Sequence, residues 1–204
     1  MNIIKADEQG AISIIESVLK RNAVVVLPTD TIYGLICNAK SQDAVKKIFQ
    51  IKQRNCGKPI GIFVKDIRMA EEFANINEKQ KKLIKKHWPG RITFVLEKKL
   101  KTNLVSPIGT DNTIGIRVAG YDLIQRLFKI IDFPLAQTSV NISGMPSLVT
   151  AEDIIGHFKN RKDQPELIVN AGFLKESKAS TVVDFTGAKH MVLRQGDIKL
   201  KIRS

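Results

Sequence analysis

Short apolar runs rich in β-branched residues alternate along this chain with stretches in which apolar residues recur every three or four positions. Residues 23–27 (AVVVL), 60–64 (IGIFV), 92–97 (ITFVLE), 113–118 (TIGIRV) and 134–138 (PLAQT) have the length and composition of strands. Shorter strands are expected at 166–169, 181–185 and 190–194. Residues 10–20 place Ala11, Ile12, Ile15, Val18 and Leu19 on one helical face. Ser41 has the position of an N-cap, and Ala44, Val45, Ile48 and Ile51 then line a helix ending near Lys52. Further helices are expected at about 78–87, capped by Asn77 and stopped at Trp88-Pro89-Gly90, and at 121–131. A last one runs to about 159 from a capping box at Thr150 and Asp153. Several β-rich stretches follow one another without a helix between them. The expected class is therefore α/β, a twisted mixed open sheet with helices on its faces rather than a purely doubly wound one.

No low-complexity segment, repeat or Pro/Gly/Ser-rich linker interrupts the 204 residues, so one domain over 1–204 is expected. No apolar run is long enough to cross a bilayer, and the start (MNIIKADEQG) has no basic-then-apolar signal region. A cytoplasmic protein without a membrane partner follows as the expectation. Cys37 and Cys56 are too few for a disulfide framework and lack zinc-ligand spacing; both are expected as small buried or half-buried side chains. Charge is more informative. Lys plus Arg is 33 against 20 Asp plus Glu, a net +13, and such an excess attracts phosphates on nucleotides or on nucleic acid. Aromatic residues at 6% are thin for a platform that stacks single-stranded RNA. There is no GxGxxG, GxxxxGK[ST] or GxSxG motif, and His87, His157 and His190 are scattered without metal-ligand spacing. A protein of this kind that binds ATP must hold the phosphates with side chains and loop amides of another design.

Four segments combine polar side chains, turn residues and flanking strands. In PTDTIYGL (28–35), two threonines and Asp30 offer hydroxyl and carboxylate groups at a strand end, either to a ligand or to an ordinary capped turn. Lys52, Arg54 and Lys58 cluster where a helix gives way to a loop, which suits a helix C-terminus and equally a phosphate clamp. Arg117 lies inside an apolar strand, a costly place unless it pairs with a carboxylate or faces a ligand. Gln137, Thr138, Ser139, Asn141 and Ser143 supply more hydrogen-bonding groups than a turn requires. Ser139 and Asn141, two apart, project to the same side if the chain stays extended.

Together these segments resemble the Sua5/YciO/YrdC family, whose characterised members are threonylcarbamoyl-AMP synthases. The likeness runs from about residue 10 to 196. It rests on PTDTIYGL, Lys52-x-Arg54 with Ser139-x-Asn141, KPIGIFV (58–64), WPGRITFVL (88–96), TIGIRV, SVNISG (139–144), STVVDF (180–185) and LRQG (193–196). It implies a YrdC-like sheet around a large basic concave cavity, in the short, bacterial-style form. It implies a nucleotidyltransferase that joins L-threonine, bicarbonate and ATP into threonylcarbamoyl-AMP and releases pyrophosphate. The product would serve the t6A modification of tRNA, completed by a separate transferase complex; tRNA and that complex are the macromolecular partners implied. By position, Thr31, Arg117, Ser139 and Ser180 are expected at threonine. Lys52, Arg54, Lys58, Thr113, Asn141, Ser147 and Arg194 are expected at ATP, with Lys52, Arg54, Ser139 and Asn141 as the catalytic set. Mg²⁺ would come with the ATP rather than on protein side chains, and no organic cofactor is implied. Phe63 stands where some relatives carry histidine.

Two other classes fit part of this. A non-catalytic RNA- or tRNA-binding module would use the +13 charge and the lysines at 79, 81, 82, 85 and 86. The tail Ile198–Arg203 alternates like an edge strand guarded by cations, which needs no RNA. A carbamoyl-adenylate enzyme of hydrogenase maturation is expected in a longer chain with zinc-finger cysteines. An RNA clamp does not need hydroxyls and a strand arginine arranged for a carboxylate.

Overall fold

The computed structural model describes residues 1–55, 57–142, 147–174, 178–187 and 189–200. Cys56, Ser143, Gly144 and the tail residues 201–203 lie outside this set. The first half of the chain folds as β1 (Asn2–Lys5), α1 (Ala11–Lys20), β2 (Val25–Leu27), β3 (Gly34–Asn38), α2 (Gln42–Lys52), β4 (Gly61–Phe63), α3 (Ile67–Phe73) and β5 (Ala74–Asn75). Next come α4 (Glu78–Ile84), β6 (Ile92–Lys98), β7 (Thr113–Arg117), α5 (Asp122–Leu127) and β8 (Leu135–Ser139). The chain continues through α6 (Ala151–Phe158), β9 (Leu167–Asn170), β10 (Thr181–Asp184) and β11 (Met191–Arg194).

All of these strands join one mixed sheet in the order β1-β9-β2-β3-β8-β4-β7-β6-β10-β11, with β5 pairing beside β6. The pairs β1/β9, β2/β9, β4/β7 and β6/β10 are parallel. β2/β3, β3/β8, β4/β8, β6/β7 and β10/β11 are antiparallel. Period-two alternation sorts the side chains to two faces. Val26, Leu35, Cys37, Ile62, Phe94, Ile114, Ile116 and Ile168 point to a core completed by α2, α3, α4 and α6. Val25, Leu27, Ile36, Phe63, Leu135, Leu167 and Val169 point the other way, under α1 and α5. This second cover is partial. Its apolar set comes from β9, β2 and β3 with one residue each of β8 (Leu135) and β4 (Phe63), and the same face of β6, β7 and β10 contributes nothing to it.

Some elements differ from the expected ones for identifiable reasons. The segment 28–35 is a loop only to Tyr33; from Gly34 the chain is already β3, paired back on β2. Gly34 and Asn38 at its ends read as turn residues and hide the strand. The helix expected at 78–87 ends at Ile84, because Lys86 and His87 donate to Leu83 and Ile84, tightening the chain ahead of Pro89. The helix at 121–131 closes at Leu127 in the same way, with Lys129 and Ile130 donating three residues back. α3 was not anticipated, although Asp66 caps it by accepting from the Met69 amide at 3.0 Å. Asn77 and Gln80 form a complete capping box on α4, and Thr150 caps α6 through the Asp153 amide at 3.0 Å. In the described part of the tail, Ile198–Leu200 forms no strand; the Ile198 carbonyl accepts from the Thr181 hydroxyl at 2.6 Å instead. Cys37 is buried. Among the described residues no helix is long and apolar enough to cross a membrane.

Candidate functional site: a hydroxyl- and arginine-lined cavity on the open half of the sheet

Where α1 and α5 stop covering the sheet, the exposed face of β4, β6, β7, β8 and β10 forms the floor of a cavity of about 420 Å³. Its position follows from alternation. Gly61 and Phe63, Thr93 and Val95, Thr113, Gly115 and Arg117, and Gln137 and Ser139 all fall on one face, opposite the apolar partners that build the core. Small residues keep this floor low. A Cβ at position 61 would stand 2.7 Å from the Gly115 carbonyl on the neighbouring strand, so β4 and β7 pack closely only with glycine there.

Arg117 forms one wall. Its side chain is 3% exposed, and its guanidinium is ion-paired with Asp30, donates from Nε to the Gly90 carbonyl at 2.9 Å and from Nη1 to the Thr31 hydroxyl at 3.2 Å. The guanidinium also lies over the Phe63 ring, 5.4 Å from its centroid. Burial pushes its pKa down to about 10, opposed by Asp30 and reinforced by Arg91 and Arg194, so it stays charged at neutral pH. Asp30 does not line the cavity. Its second oxygen accepts from the Gly120 amide at 3.0 Å, and the carboxylate serves to hold Arg117 rather than a ligand. A hydroxyl relay continues from the arginine. Thr29 donates to the Ile32 carbonyl at 2.7 Å and lies 2.9 Å from the Thr31 hydroxyl. With the Thr29 proton committed, Thr31 donates to Thr29 while accepting from Arg117.

The C-terminus of β8 carries a second cluster. The Ser139 hydroxyl donates to Asn141 Oδ1 at 2.7 Å. Behind it, Lys52 is only 1% exposed; its ammonium donates to the Ser139 carbonyl (2.6 Å), the Asn141 carbonyl (3.0 Å) and Asn141 Oδ1 (2.7 Å). Burial and then the Arg54 charge lower the Lys52 pKa to about 8. Gln53, with φ 48°, ends α2 in a left-handed turn, and Arg54 emerges beyond it into the cavity. There Arg54 donates to the carbonyls of Lys58 (2.9 Å) and Pro59 (3.0 Å).

On the far side, the Ser180 hydroxyl lies 2.8 Å from that of Thr93 and accepts from Arg194 Nη2 at 3.1 Å; Arg194 Nε holds the Ser180 carbonyl at 3.0 Å. The hydroxyls of Thr110 and Thr113 are 2.8 Å apart. Three arginines thus meet a ring of hydroxyls, and no Asp or Glu is among the described lining residues. Such a site attracts anions and binds a carboxylate or phosphate through charge-assisted bonds.

The structure brings Thr31, Arg54, Thr113, Arg117, Ser139, Ser180 and Arg194 to this cavity. Lys52 and Asn141 stand directly behind Ser139, outside the lining. Lys58 is exposed, and it meets Arg54 through its backbone; Ser147 is half-buried and outside the lining. The sequence reading missed Thr93 and undervalued Gln137, both cavity residues. The signal was present, since each sits two positions from another cavity residue on its own strand. The partners of Arg117, by contrast, come from separate loops and could not be read from spacing.

Comparison with known proteins gives the chain's family and fold. The Sua5/YciO/YrdC family model, described as "Telomere recombination", matches residues 17–196. The threonylcarbamoyl-AMP synthase of Bacillus subtilis strain 168 is 35% identical over 185 residues, covering 89% of this chain and 52% of that protein. The threonylcarbamoyl-AMP synthase of Buchnera aphidicola subsp. Acyrthosiphon pisum is 32% identical over 174 residues, covering 84% of this chain and 97% of its own length. The crystal structure of Pyrococcus abyssi Sua5 complexed with L-threonine superposes with a TM-score of 0.83 at 31% identity, over 96% of this chain and 57% of that one. The chain thus spans little more than half of two of these relatives and nearly all of the third. With a family model matching most of its length, a relative at 35% identity and a shared fold, the chain belongs to the Sua5/YciO/YrdC family.

Proposed function

We propose that this chain is an L-threonylcarbamoyladenylate synthase, a nucleotidyltransferase acting on L-threonine, bicarbonate or CO2, and ATP. The observation that carries the reading is the convergence of Arg54, Arg117 and Arg194 with the hydroxyls of Thr31, Thr113, Ser139 and Ser180 in one cavity that has no Asp or Glu among its described lining residues. Arg117 is held from behind by Asp30 and Gly90, which pre-orients its fork for an amino-acid carboxylate. Thr31, Ser139 and Ser180 are placed to contact the rest of the threonine. Arg54, Thr113 and Arg194 are assigned to the nucleotide, together with Lys58 and Ser147 at the positions the family resemblance marks. Magnesium enters bound to the ATP, as part of the substrate.

The reaction needs no covalent intermediate on the protein. The threonine amine takes up CO2 and loses a proton to give a carbamate. A carbamate oxygen then attacks the α-phosphorus, and pyrophosphate leaves with the bonding pair. Arginines on both sides of the triphosphate neutralise the charge that develops on its oxygens, so catalysis is by positioning and electrostatics. The product would feed t6A formation in tRNA through a separate transferase complex.

The test is to incubate the protein with ATP, bicarbonate and each amino acid in turn, following pyrophosphate and identifying the nucleotide product by mass spectrometry. Release that requires threonine and bicarbonate, yields threonylcarbamoyl-AMP and disappears in Arg54→Ala and Ser139→Ala supports the reading. Release with another amino acid moves the substrate. No release, beside tight salt-sensitive binding of RNA, sinks the enzyme in favour of a binding module.

A further inference from the structure

Lys52, a member of the expected catalytic set, turns its ammonium away from the cavity and onto the end of β8. An ammonium has three N–H donors and no acceptor. All three acceptor contacts of Lys52 are on β8 and the residues just after it, at 2.6, 2.7 and 3.0 Å, and the side chain takes no part in the cavity wall. This arrangement fixes more than distance. A flipped Asn141 would set its amide NH2 against the ammonium, so Oδ1 must face Lys52. The same Oδ1 accepts the Ser139 proton at 2.7 Å. With that proton directed backward, the lone pairs of the Ser139 hydroxyl point into the cavity, ready to accept from an amine or hydroxyl of the substrate.

We infer that Lys52 is a positioning residue: it acts on the reaction through Asn141 and Ser139, fixing the Ser139 hydroxyl as an acceptor, and does not itself touch the phosphates. The inference rests on the synthase reading for its effect on turnover, but not for the contact itself. Arg54, two residues on, then carries the phosphate role alone among the pair, and it is the charged group whose proximity acts on Lys52.

Three measurements on the full chain decide it. First, ATP and AMP affinities are compared by calorimetry in the wild type and Lys52→Met. The ratio of the two should stay within about twofold, since no phosphate contact is lost, while turnover falls by about a hundredfold, the scale set by misplacing a reacting group. A tenfold or greater collapse of that ratio overturns the inference. Second, Lys52→Met made in Asn141→Ala should cost under about threefold more in turnover than Asn141→Ala alone, because residues acting as a unit are non-additive; a second full loss overturns the inference. Third, the side-chain amide of Asn141 is followed by 15N NMR in the wild type as pH rises. Its resonance should move with a midpoint near the Lys52 pKa of about 8, and a flat response overturns the inference even if Lys52→Met fails to fold. Absence of pyrophosphate release from the wild type would defeat the synthase reading, while the NMR titration would still decide what Lys52 holds.

Discussion

At the scale of single residues, Arg117 shows why a buried charge needs its whole environment. Its guanidinium is 3% exposed and Asp30 is 9% exposed, so neither charge has water to fall back on. Removing one partner of such a pair leaves the other uncompensated, at a cost of about 3–5 kcal/mol. Asp30→Asn should therefore lower unfolding stability in urea by about 3 kcal/mol. A change within error would mean that Asp30 is not what holds Arg117. Two other buried groups oppose one another in pH dependence. Lys52 has its pKa lowered in the fold, to about 8, so its favourable contribution is present above the unfolded value near 10.5 and is lost as pH falls through 8. Burial raises the Cys37 thiol far above its ordinary value, so its contribution is full below about pH 8.5 and is lost as pH rises. Between about pH 8.5 and 10 the two slopes cancel in the wild type. Cys37→Ala should become more stable over that interval and Lys52→Met less stable, measured as denaturant midpoints at fixed pH; parallel curves for both would refute the assignment of charge states.

At the scale of elements, the cavity exists because parallel β4 and β7 approach closely with no side chains between them. Gly61→Ala would place a methyl 2.7 Å from the Gly115 carbonyl, a contact that only backbone movement relieves. The expected cost is about 1–3 kcal/mol, with loss of nucleotide binding because Ile60, Gly61 and Phe63 line the cavity. An unchanged melting temperature with intact binding would show that the two strands separate freely. The same strands show how far sequence could be read. The runs at 60–64, 92–97 and 113–118 have the length and composition of strands, so strand identity was legible; Arg117 stood out as a charge inside one of them with its partner left open, and Thr113 was expected at the site only through the family resemblance. β3 was hidden because Gly34 and Asn38 look like turn residues, although the pairing of Leu35 with Thr138 makes it a central strand. The order β8-β4-β7-β6 joins segments far apart in the chain, and alternation says nothing about which strand is neighbour to which. Hence the sequence could offer Asp30, Gly90 and Arg117 as separate features but not as one cluster. The position of Lys52 behind Ser139 depends likewise on how α2 lies against the end of β8.

For the molecule as a whole, the net charge of +13 is compatible with either a nucleotide pocket or a surface for nucleic acid, and the two differ in how they respond to salt. A surface that neutralises six to ten phosphates releases as many counterions, and loses about 10³–10⁵ in affinity between 50 and 200 mM salt. A cavity in which Arg54 and Arg194 reach one triphosphate is less screened than an open surface, because both arginines line a concave site and are held in place by bonds to the Lys58, Pro59 and Ser180 backbone. The many exposed lysines lie outside this set. Lys81 is ion-paired with Glu71 and Glu78, and Lys20 with Glu16, so part of the excess is already compensated locally. ATP affinity should accordingly fall by less than about tenfold from 50 to 200 mM NaCl, measured by calorimetry at constant magnesium. Arg54→Ala should weaken binding at both salt concentrations and flatten the dependence further, since one of the screened contacts is gone. If ATP affinity instead collapses by orders of magnitude over that interval, the phosphates are held at the open surface. The cavity would then be too wet to align a carbamate with the α-phosphorus, and the lysine-rich exterior would become the better candidate for function.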